Sequence, residues 1–313
     1  MIKTAYNVLR LLRPRQWIKN LSIFAAITFG GELFNVNILY DVLLGFLVFC
    51  GLSSAAYIVN DFFDIEKDRM HPFKRFRPLA KGDVSKNLAL FIAGVLTAGS
   101  LVVAITITPA FFAITIIYLI LQLSYSTILK SITVIDILAI ASGYILRVYA
   151  GEFASGLHIS VWLLLTTISI SLFLAIGKRR SELTLLTGRK EANLAATRKT
   201  LSHYSERLLD VYTSIFATST FISYSLFTFL ENQAGSKFSF ILMPDFAPAF
   251  FQRKWLMVTI IPVVYGLMRY MQDIYEKNEG ESPEKVLLSD VPLLVTITIW
   301  VILVIFIVYF LGL

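Results

Sequence analysis

The sequence predicts an all-α protein, a polytopic membrane bundle with nine transmembrane helices. Of its 313 residues, 57% are hydrophobic and only 16% are charged, whereas soluble domains carry about 25% charged residues. The mean hydropathy of +0.72 agrees with a membrane protein. Apolar runs of the length that crosses a hydrocarbon core of about 30 Å recur along the chain. Because backbone facing lipid must satisfy its hydrogen bonds internally, these runs are expected to be helices.

Several joints between the nine runs are short, three loops are long (residues 61–86, 178–207 and 231–254), and no linker or low-complexity tract separates a second domain. Residues 1–313 are therefore expected to form a single transmembrane domain. The first run is the most polar, with Lys19, Asn20 and Glu32 in or near it. Cys50 is the only cysteine, which excludes a disulfide framework and a cysteine-based metal site. The runs occupy residues 18–35, 38–60, 88–107, 110–129, 134–153, 159–177, 208–230, 255–273 and 291–311.

The positive charges predict the orientation of the bundle. If the N-terminus is cytosolic, the inner segments are residues 1–19, 61–86, the turn around Lys130, 178–207 and 269–285. These segments hold 24 of the 28 Lys and Arg residues, and the outer loops hold three. Cytosolic loops of membrane proteins carry such an excess. We therefore expect an integral plasma membrane protein with its N-terminus and active site in the cytosol and its C-terminus outside.

A carboxylate cluster follows the second run, in residues 60–68 (NDFFDIEKD). On a continuing helix at about 100° per residue, Asn60, Asp64, Asp68 and Asp61 fall at roughly 0°, 40°, 80° and 100°, and Glu66 falls near 240°. The first four are predicted to share one face as ligands of Mg²⁺, with substrate phosphate completing its coordination. Glu66 is predicted not to be a ligand. The alternative is a solvated helix end with ordinary aspartates.

Basic residues surround this cluster and suit phosphate binding. Residues 69–78 (RMHPFKRFRP) interleave cations with aromatics. Such a pattern can bind nucleic acid or anionic lipid, but beside a metal cluster a phosphate-binding loop is the simpler interpretation, and no nucleic-acid partner is expected. The alternative is the ordinary basic excess of cytosolic loops. Arg147, within the fifth run, is expected to have a structural role with Glu32 or Glu152 as its partner.

The motifs together resemble the UbiA prenyltransferase superfamily. The series Asn60-x3-Asp64-x3-Asp68 at the end of the second of nine spans is similar to the first aspartate-rich motif of that family. The position of the second such motif instead reads GKRRSE in residues 177–182. That departure resembles the decaprenyl-phosphate phosphoribosyltransferase branch of the family. Three further motifs share this resemblance: residues 13–20 (RPRQWIKN), residues 71–78 and Tyr125-x4-Lys130.

The resemblance implies a central cavity open to the cytosol and transfer of 5-phosphoribose from phosphoribosyl diphosphate to a polyprenyl phosphate, dependent on Mg²⁺. Two alternatives remain: a prenyltransferase that uses a prenyl diphosphate and a hydrophobic acceptor, and a transporter without enzymatic activity. Asp61, Asp64, Asp68 and Lys130 are the expected catalytic residues. The expected substrate-binding residues are Lys19, Asn20, Lys74, Arg75, Arg77, Tyr125, Asp136, Lys178, Arg179 and Glu182.

Overall fold

The computed structural model describes residues 2–70, 74–187, 203–230, 254–276 and 283–311. Within these ranges the chain forms helices and no strand. The α-helices, numbered in chain order, are α1 Ile2–Leu12, α2 Ala25–Phe29, α3 Val36–Phe63, α4 Ile65–Met70, α5 Pro78–Lys81, α6 Lys86–Ile107, α7 Pro109–Thr127, α8 Ile135–Ser155, α9 Val161–Thr187, α10 Glu206–Leu230, α11 Ile260–Tyr275, α12 Pro283–Ser289 and α13 Val291–Phe306. A π-helical turn, Ile307–Leu311, extends α13, and 3₁₀ segments cover Pro14–Phe24, Lys74–Phe76, Leu129–Ser131 and Trp255–Thr259.

Seven helices of the described ranges are long and apolar enough to cross a membrane: α3, α6, α7, α8, α9, α10 and α13 with its π-helical turn. They correspond to seven of the nine predicted runs. The run at residues 18–35 is divided between the 3₁₀ segment Pro14–Phe24 and the short α2. The run at residues 255–273 begins in the 3₁₀ segment Trp255–Thr259 and continues as α11, which has 16 residues.

The first 3₁₀ segment packs very closely against α8. A Cβ added at Gly151 of α8 would lie 1.9 Å from the carbonyl oxygen of Ile23. Only glycine permits this approach of two backbones. The contact fixes the depth at which the polar residues of the first segment, Lys19 and Asn20, enter the bundle.

The π-helical turn that extends α13 is also joined to the chain just before α3, at the end of the bundle away from the charged cluster. The Tyr309 hydroxyl accepts a hydrogen bond from the Leu33 amide at 2.8 Å and lies 3.0 Å from the carbonyl oxygen of Ile27, to which it donates. Beside this junction lies an apolar cavity of about 650 Å³. The cavity is lined by residues of the first 3₁₀ segment and of α8, α9, α10, α11 and α13.

Candidate active site

The charged cluster forms where several helices end at one face of the bundle. The helix α3 breaks at Asp64, whose φ of −100° and ψ of 7° leave the helical range. Backbone hydrogen bonds cross the break, from the Asp64 amide to Asn60 at 3.1 Å and from the Asp68 amide to Asp64 at 2.8 Å. The carboxylate series therefore continues along the chain into α4. Glu66 is exposed on another side.

Asn60 and Asp64 converge on one cation, the ammonium of Lys130. The Lys130 Nζ atom lies 2.8 Å from both carboxylate oxygens of Asp64 and 3.4 Å from Oδ1 of Asn60. Lys130 belongs to the 3₁₀ turn Leu129–Ser131 between α7 and α8. The side chains of Lys130 and Asp64 are each 17% exposed, so this pair remains partly accessible.

Asp61 and Asp68 converge on Arg77 instead. The Arg77 guanidinium lies 3.0 Å from Asp61 Oδ1 and 2.7 Å from Asp68 Oδ2. Asp61 is nearly inaccessible and also binds Arg13 at 2.5 Å. Burial raises the pKa of Asp68 above its usual value, and the neighbouring Arg77 opposes that rise. The predicted single face is thus divided into two pairs that are bridged by different cations.

Arg13 was not among the predicted site residues. It adopts a left-handed conformation, φ 53° and ψ 59°, immediately before the first 3₁₀ segment. Its guanidinium packs 5.1 Å from the ring centroid of Tyr57 while it binds Asp61. The motif RPRQWIKN contains Arg13, but its spacing does not reveal which of its cations turns inward.

A second network surrounds Arg179 at the end of α9. The Arg179 Nε atom lies 2.8 Å from Asp136 Oδ2, and both side chains are fully buried. The same guanidinium binds Glu182 and donates to the Tyr125 hydroxyl at 3.1 Å. Lys74 lies 3.8 Å from Glu182 and links this network to the loop after α4. The structure thus brings Lys74, Tyr125, Asp136, Arg179 and Glu182 together, as the sequence predicts.

The hydroxyl of Tyr204, just before α10, completes this network. It donates to Asp136 Oδ1 at 2.8 Å and accepts from the Val134 amide at 2.7 Å. Burial raises the pKa of Tyr204, so the hydroxyl remains a donor at neutral pH. Sequence reasoning missed Tyr204 because no spacing relates it to Asp136.

Lys19 and Lys178 lie close in the chain to residues that line the apolar cavity. Lys19 donates to Gln16 Oε1 at 2.6 Å. Lys178 is half-buried and makes no ion pair with a carboxylate of the described ranges. The residues Ile18, Ser22 and Leu174, close to these lysines in the chain, line the apolar cavity.

Asn20 and Arg75 lie apart from the charged cluster. Asn20 is fully buried, accepts from Arg147 Nε at 2.6 Å and donates to Ser53 Oγ at 3.3 Å. Arg75 is exposed, with its guanidinium 4.8 Å from the ring centroid of Phe76. His71 lies outside the described residues.

The prediction that Glu32 or Glu152 is the partner of Arg147 is wrong. Arg147 instead binds Asn20, the Gly143 carbonyl at 2.5 Å and the Tyr118 hydroxyl at 2.7 Å. Glu152 follows Arg147 by five residues, which is about 140° around the helix. It pairs with His158 at 3.0 Å.

The residues at Asn60 and Asp64 fit a divalent cation. No group of three His, Cys, Asp or Glu side chains in the described ranges is arranged to hold a metal by itself. Mg²⁺, however, usually takes one or two carboxylates and fills its remaining positions with phosphate and water. The Lys130 ammonium lies at a point where three oxygens of Asn60 and Asp64 converge, and oxygens are the ligands that Mg²⁺ takes.

Comparison with known proteins agrees with this geometry. The chain matches the UbiA prenyltransferase family over residues 21–291. It is 35% identical over 299 residues to a decaprenyl-phosphate phosphoribosyltransferase of Mycolicibacterium smegmatis, covering 94% of this chain and 90% of the relative. A protein of the same name from Corynebacterium glutamicum is 35% identical over 309 residues, covering 97% and 87%.

Solved structures show the same fold. A UbiA homolog from Archaeoglobus fulgidus bound to GPP and Mg²⁺ superposes with a TM-score of 0.70 at 21% identity, covering 96% of this chain and 99% of that one. The same homolog bound to DMAPP and Mg²⁺ gives a TM-score of 0.69 at 20% identity, covering 95% and 98%. The family match spans most of the sequence and includes the site residues described above other than those at positions 13–20, so this chain belongs to the UbiA prenyltransferase family.

Proposed function

We propose that this protein transfers 5-phosphoribose from phosphoribosyl diphosphate to a polyprenyl phosphate and releases diphosphate. The observation that carries the proposal is a cluster of carboxylates and cations, in which Asp64 binds Lys130 and Arg179 binds Asp136, in a bundle that also encloses an apolar cavity. The relatives named decaprenyl-phosphate phosphoribosyltransferase, at 35% identity over nearly their whole length, support the same activity.

The metal in this proposal is Mg²⁺, held by Asn60 and Asp64, whose oxygens converge on one point, whereas Asp68 is paired with Arg77. When bound, it would neutralise charge on the departing diphosphate. Asp61 serves as an anchor, because Arg13 and Arg77 both bind it and 2% of its side chain is exposed. Lys130 and Arg77 pair with the carboxylates of the cluster and are placed to bind diphosphate oxygens as well.

The remaining cations are divided between the two substrates. Ile18 and Leu174 line the apolar cavity and lie close in the chain to Lys19 and Lys178. We therefore assign these two lysines to the phosphate of the lipid and the cavity to its chain. Lys74, beside Glu182, is assigned to the 5-phosphate of the donor. An oxygen of the lipid phosphate forms the new bond to ribose C1 while the bond from C1 to the diphosphate breaks. That oxygen is already anionic, so the step needs no strong general base.

The topology belongs to the same proposal. We infer that the two divided segments, at residues 18–35 and 255–273, cross the membrane with the seven long helices, which gives nine spans. The charged ends of α3, α7 and α9 then lie at the cytosolic face of the plasma membrane, where the basic loops are concentrated. We infer that the substrates enter from the cytosol at the carboxylates.

The decisive experiment offers purified protein a polyprenyl phosphate with labelled phosphoribosyl diphosphate and, separately, labelled geranyl diphosphate with an aromatic acceptor. Label is expected in the lipid product only with phosphoribosyl diphosphate and Mg²⁺. The homolog solved with GPP makes prenyl transfer the relevant alternative. Product from geranyl diphosphate alone would reject the proposal.

Asp64→Asn tests the metal site, and Glu66→Gln is its matched control. Asp64→Asn is expected to lower turnover by about 100-fold or more, as the loss of a group that stabilises transition-state charge does. Glu66 is exposed, so Glu66→Gln is expected to retain most activity. Equal losses in the two variants would show that the assignment of Asp64 is wrong.

A further inference from the structure

The turn between Lys130 and α8 contains a strained residue. Val134 has φ 69° and ψ −46°, and it precedes the first residue of α8. Among the described residues, only Arg13 and Val134 are non-glycine residues with positive φ. A β-branched side chain in this region is a true conformational outlier. Such strain persists only where surrounding contacts impose it.

The side-chain contact that holds the Val134 amide in this conformation is the Tyr204 hydroxyl. The amide donates to it at 2.7 Å, in place of a backbone partner. The Val134 carbonyl accepts from the Ile137 and Leu138 amides of α8, both at 3.0 Å, and the side chain itself is 44% exposed. Tyr204 itself is firmly placed: it is 5% exposed and packs with Ile137 and Leu172 in a buried cluster.

The same hydroxyl also binds the second charged network. It donates to Asp136 Oδ1 at 2.8 Å, while Asp136 Oδ2 lies 2.8 Å from Arg179 Nε. On its other side, the turn held through Val134 carries Lys130, whose ammonium contacts both oxygens of Asp64. One hydroxyl therefore connects the turn of Lys130 with the carboxylate that orients Arg179.

We propose that Tyr204 is a positioning residue that sets the relative placement of Lys130 and Arg179. It does so by holding the Val134 amide and the Asp136 carboxylate on one hydroxyl group. This inference rests on the proposed function, since it assumes that both cations face the same diphosphate-bearing substrate. Tyr204 contacts neither pole directly and acts through the turn and through Asp136.

The experiment compares Tyr204→Phe, Val134→Gly and the double variant with Tyr212→Phe, in the purified full-length protein. Tyr212 packs against the same buried cluster and serves as the matched control. Glycine adopts positive φ readily, so Val134→Gly relieves the strain that Tyr204 otherwise has to hold. The primary measurement is thermal stabilisation by inorganic diphosphate with MgCl₂, which does not depend on turnover.

Tyr204→Phe is expected to raise the half-saturating concentration of diphosphate by about 10- to 100-fold, as the loss of a buried hydrogen bond to a charged group does. Adding Val134→Gly is expected to recover at least about fivefold of that loss, because the turn no longer needs the hydroxyl. Tyr212→Phe is expected to match the wild type. If Tyr204→Phe weakened diphosphate binding only by destabilising the fold, adding Val134→Gly, which removes a further side chain, would not restore the binding.

Wild-type binding by Tyr204→Phe, or a double variant no better than Tyr204→Phe, would overturn the inference. The transfer assay with labelled phosphoribosyl diphosphate is run on the same preparations. If the binding series holds but the wild type transfers no phosphoribose, the proposed function falls and the role of Tyr204 stands. If transfer is normal in Tyr204→Phe, the proposed function stands and the role of Tyr204 falls.

Discussion

Asn20 has either a structural role or a role in substrate binding, and two substitutions of this residue decide between the two roles. The sequence predicts that Asn20 binds substrate, whereas its side chain lies fully buried against Arg147 and Ser53. Asn20→Ala removes the acceptor of Arg147 Nε. Asn20→Asp keeps that acceptor and adds a negative charge beside the guanidinium.

The expected sizes follow from these contacts. A buried hydrogen bond to a charged group is worth about 1.5–3 kcal/mol, and a lost neutral bond to Ser53 adds about 1 kcal/mol. Asn20→Ala should therefore destabilise the protein by about 3 kcal/mol. For Asn20→Asp, attraction at 2.6 Å amounts to roughly 6 kcal/mol at an effective dielectric constant near 20. Desolvation of the new carboxylate costs several kcal/mol, so the net change should stay within about 1 kcal/mol.

Thermal unfolding in detergent and transfer activity are measured together, with Asn37→Ala on the exposed start of α3 as the control. Asn20→Ala should lower the midpoint by roughly 6–12 °C, at about 2–4 °C per kcal/mol. Asn20→Asp should unfold near the wild-type temperature and stay active. If Asn20→Ala unfolds like Asn37→Ala while Asn20→Asp loses activity through repulsion of phosphate, the structural role is refuted.

Four further predictions concern the charged cluster. Arg13→Lys should lower turnover about tenfold, since it loses the guanidinium contact with Asp61, while Arg15→Lys on the exposed side should leave turnover unchanged. Lys178→Ala should raise KM for polyprenyl phosphate about tenfold in steady-state assays, with KM for phosphoribosyl diphosphate little changed. Arg77→Met removes the cation that opposes the raised pKa of Asp68, so this carboxylate should protonate at higher pH. The acid limb of the pH–activity profile should therefore shift to higher pH. EDTA should abolish transfer, and added MgCl₂ should restore it.

The fold was largely predictable because membrane helices can be recognised in a sequence as long runs of apolar residues. The predicted run at 88–107 corresponds to α6 at Lys86–Ile107, and the run at 208–230 to α10 at Glu206–Leu230. The first run differs, since its 3₁₀ segment is set by tertiary contacts, above all the approach of Ile23 to Gly151. Hydropathy carries no information about such a contact between distant segments.

The sequence predicted which residues belong to the candidate site better than it predicted which of them bind one another. Helical periodicity places Asn60, Asp64 and Asp68 near one face, and the structure joins Asn60 and Asp64 at Lys130. Periodicity does not reveal that Arg77 binds Asp68, because the loop that carries Arg77 folds back from outside the helix. Arg13 and Tyr204 were missed for the same reason, since they reach the site from segments 48 and 68 residues away from their partners.

The balance of charge in the cluster suits the basic segment GKRRSE, residues 177–182, which stands at the position of the family's second aspartate-rich motif. The contacts described above involve the carboxylates of Asp61, Asp64, Asp68, Asp136 and Glu182 and the cations of Arg13, Lys19, Lys74, Arg77, Lys130, Lys178 and Arg179. Cations exceed carboxylates by two before any metal binds. A prenyl diphosphate brings one anionic group of this kind, whereas the proposed substrates bring a diphosphate, a 5-phosphate and a lipid phosphate. Groups of like charge within a few ångströms of one another repel by about 1 kcal/mol in water and by more in a cavity, so a surplus of cations suits the larger anionic load.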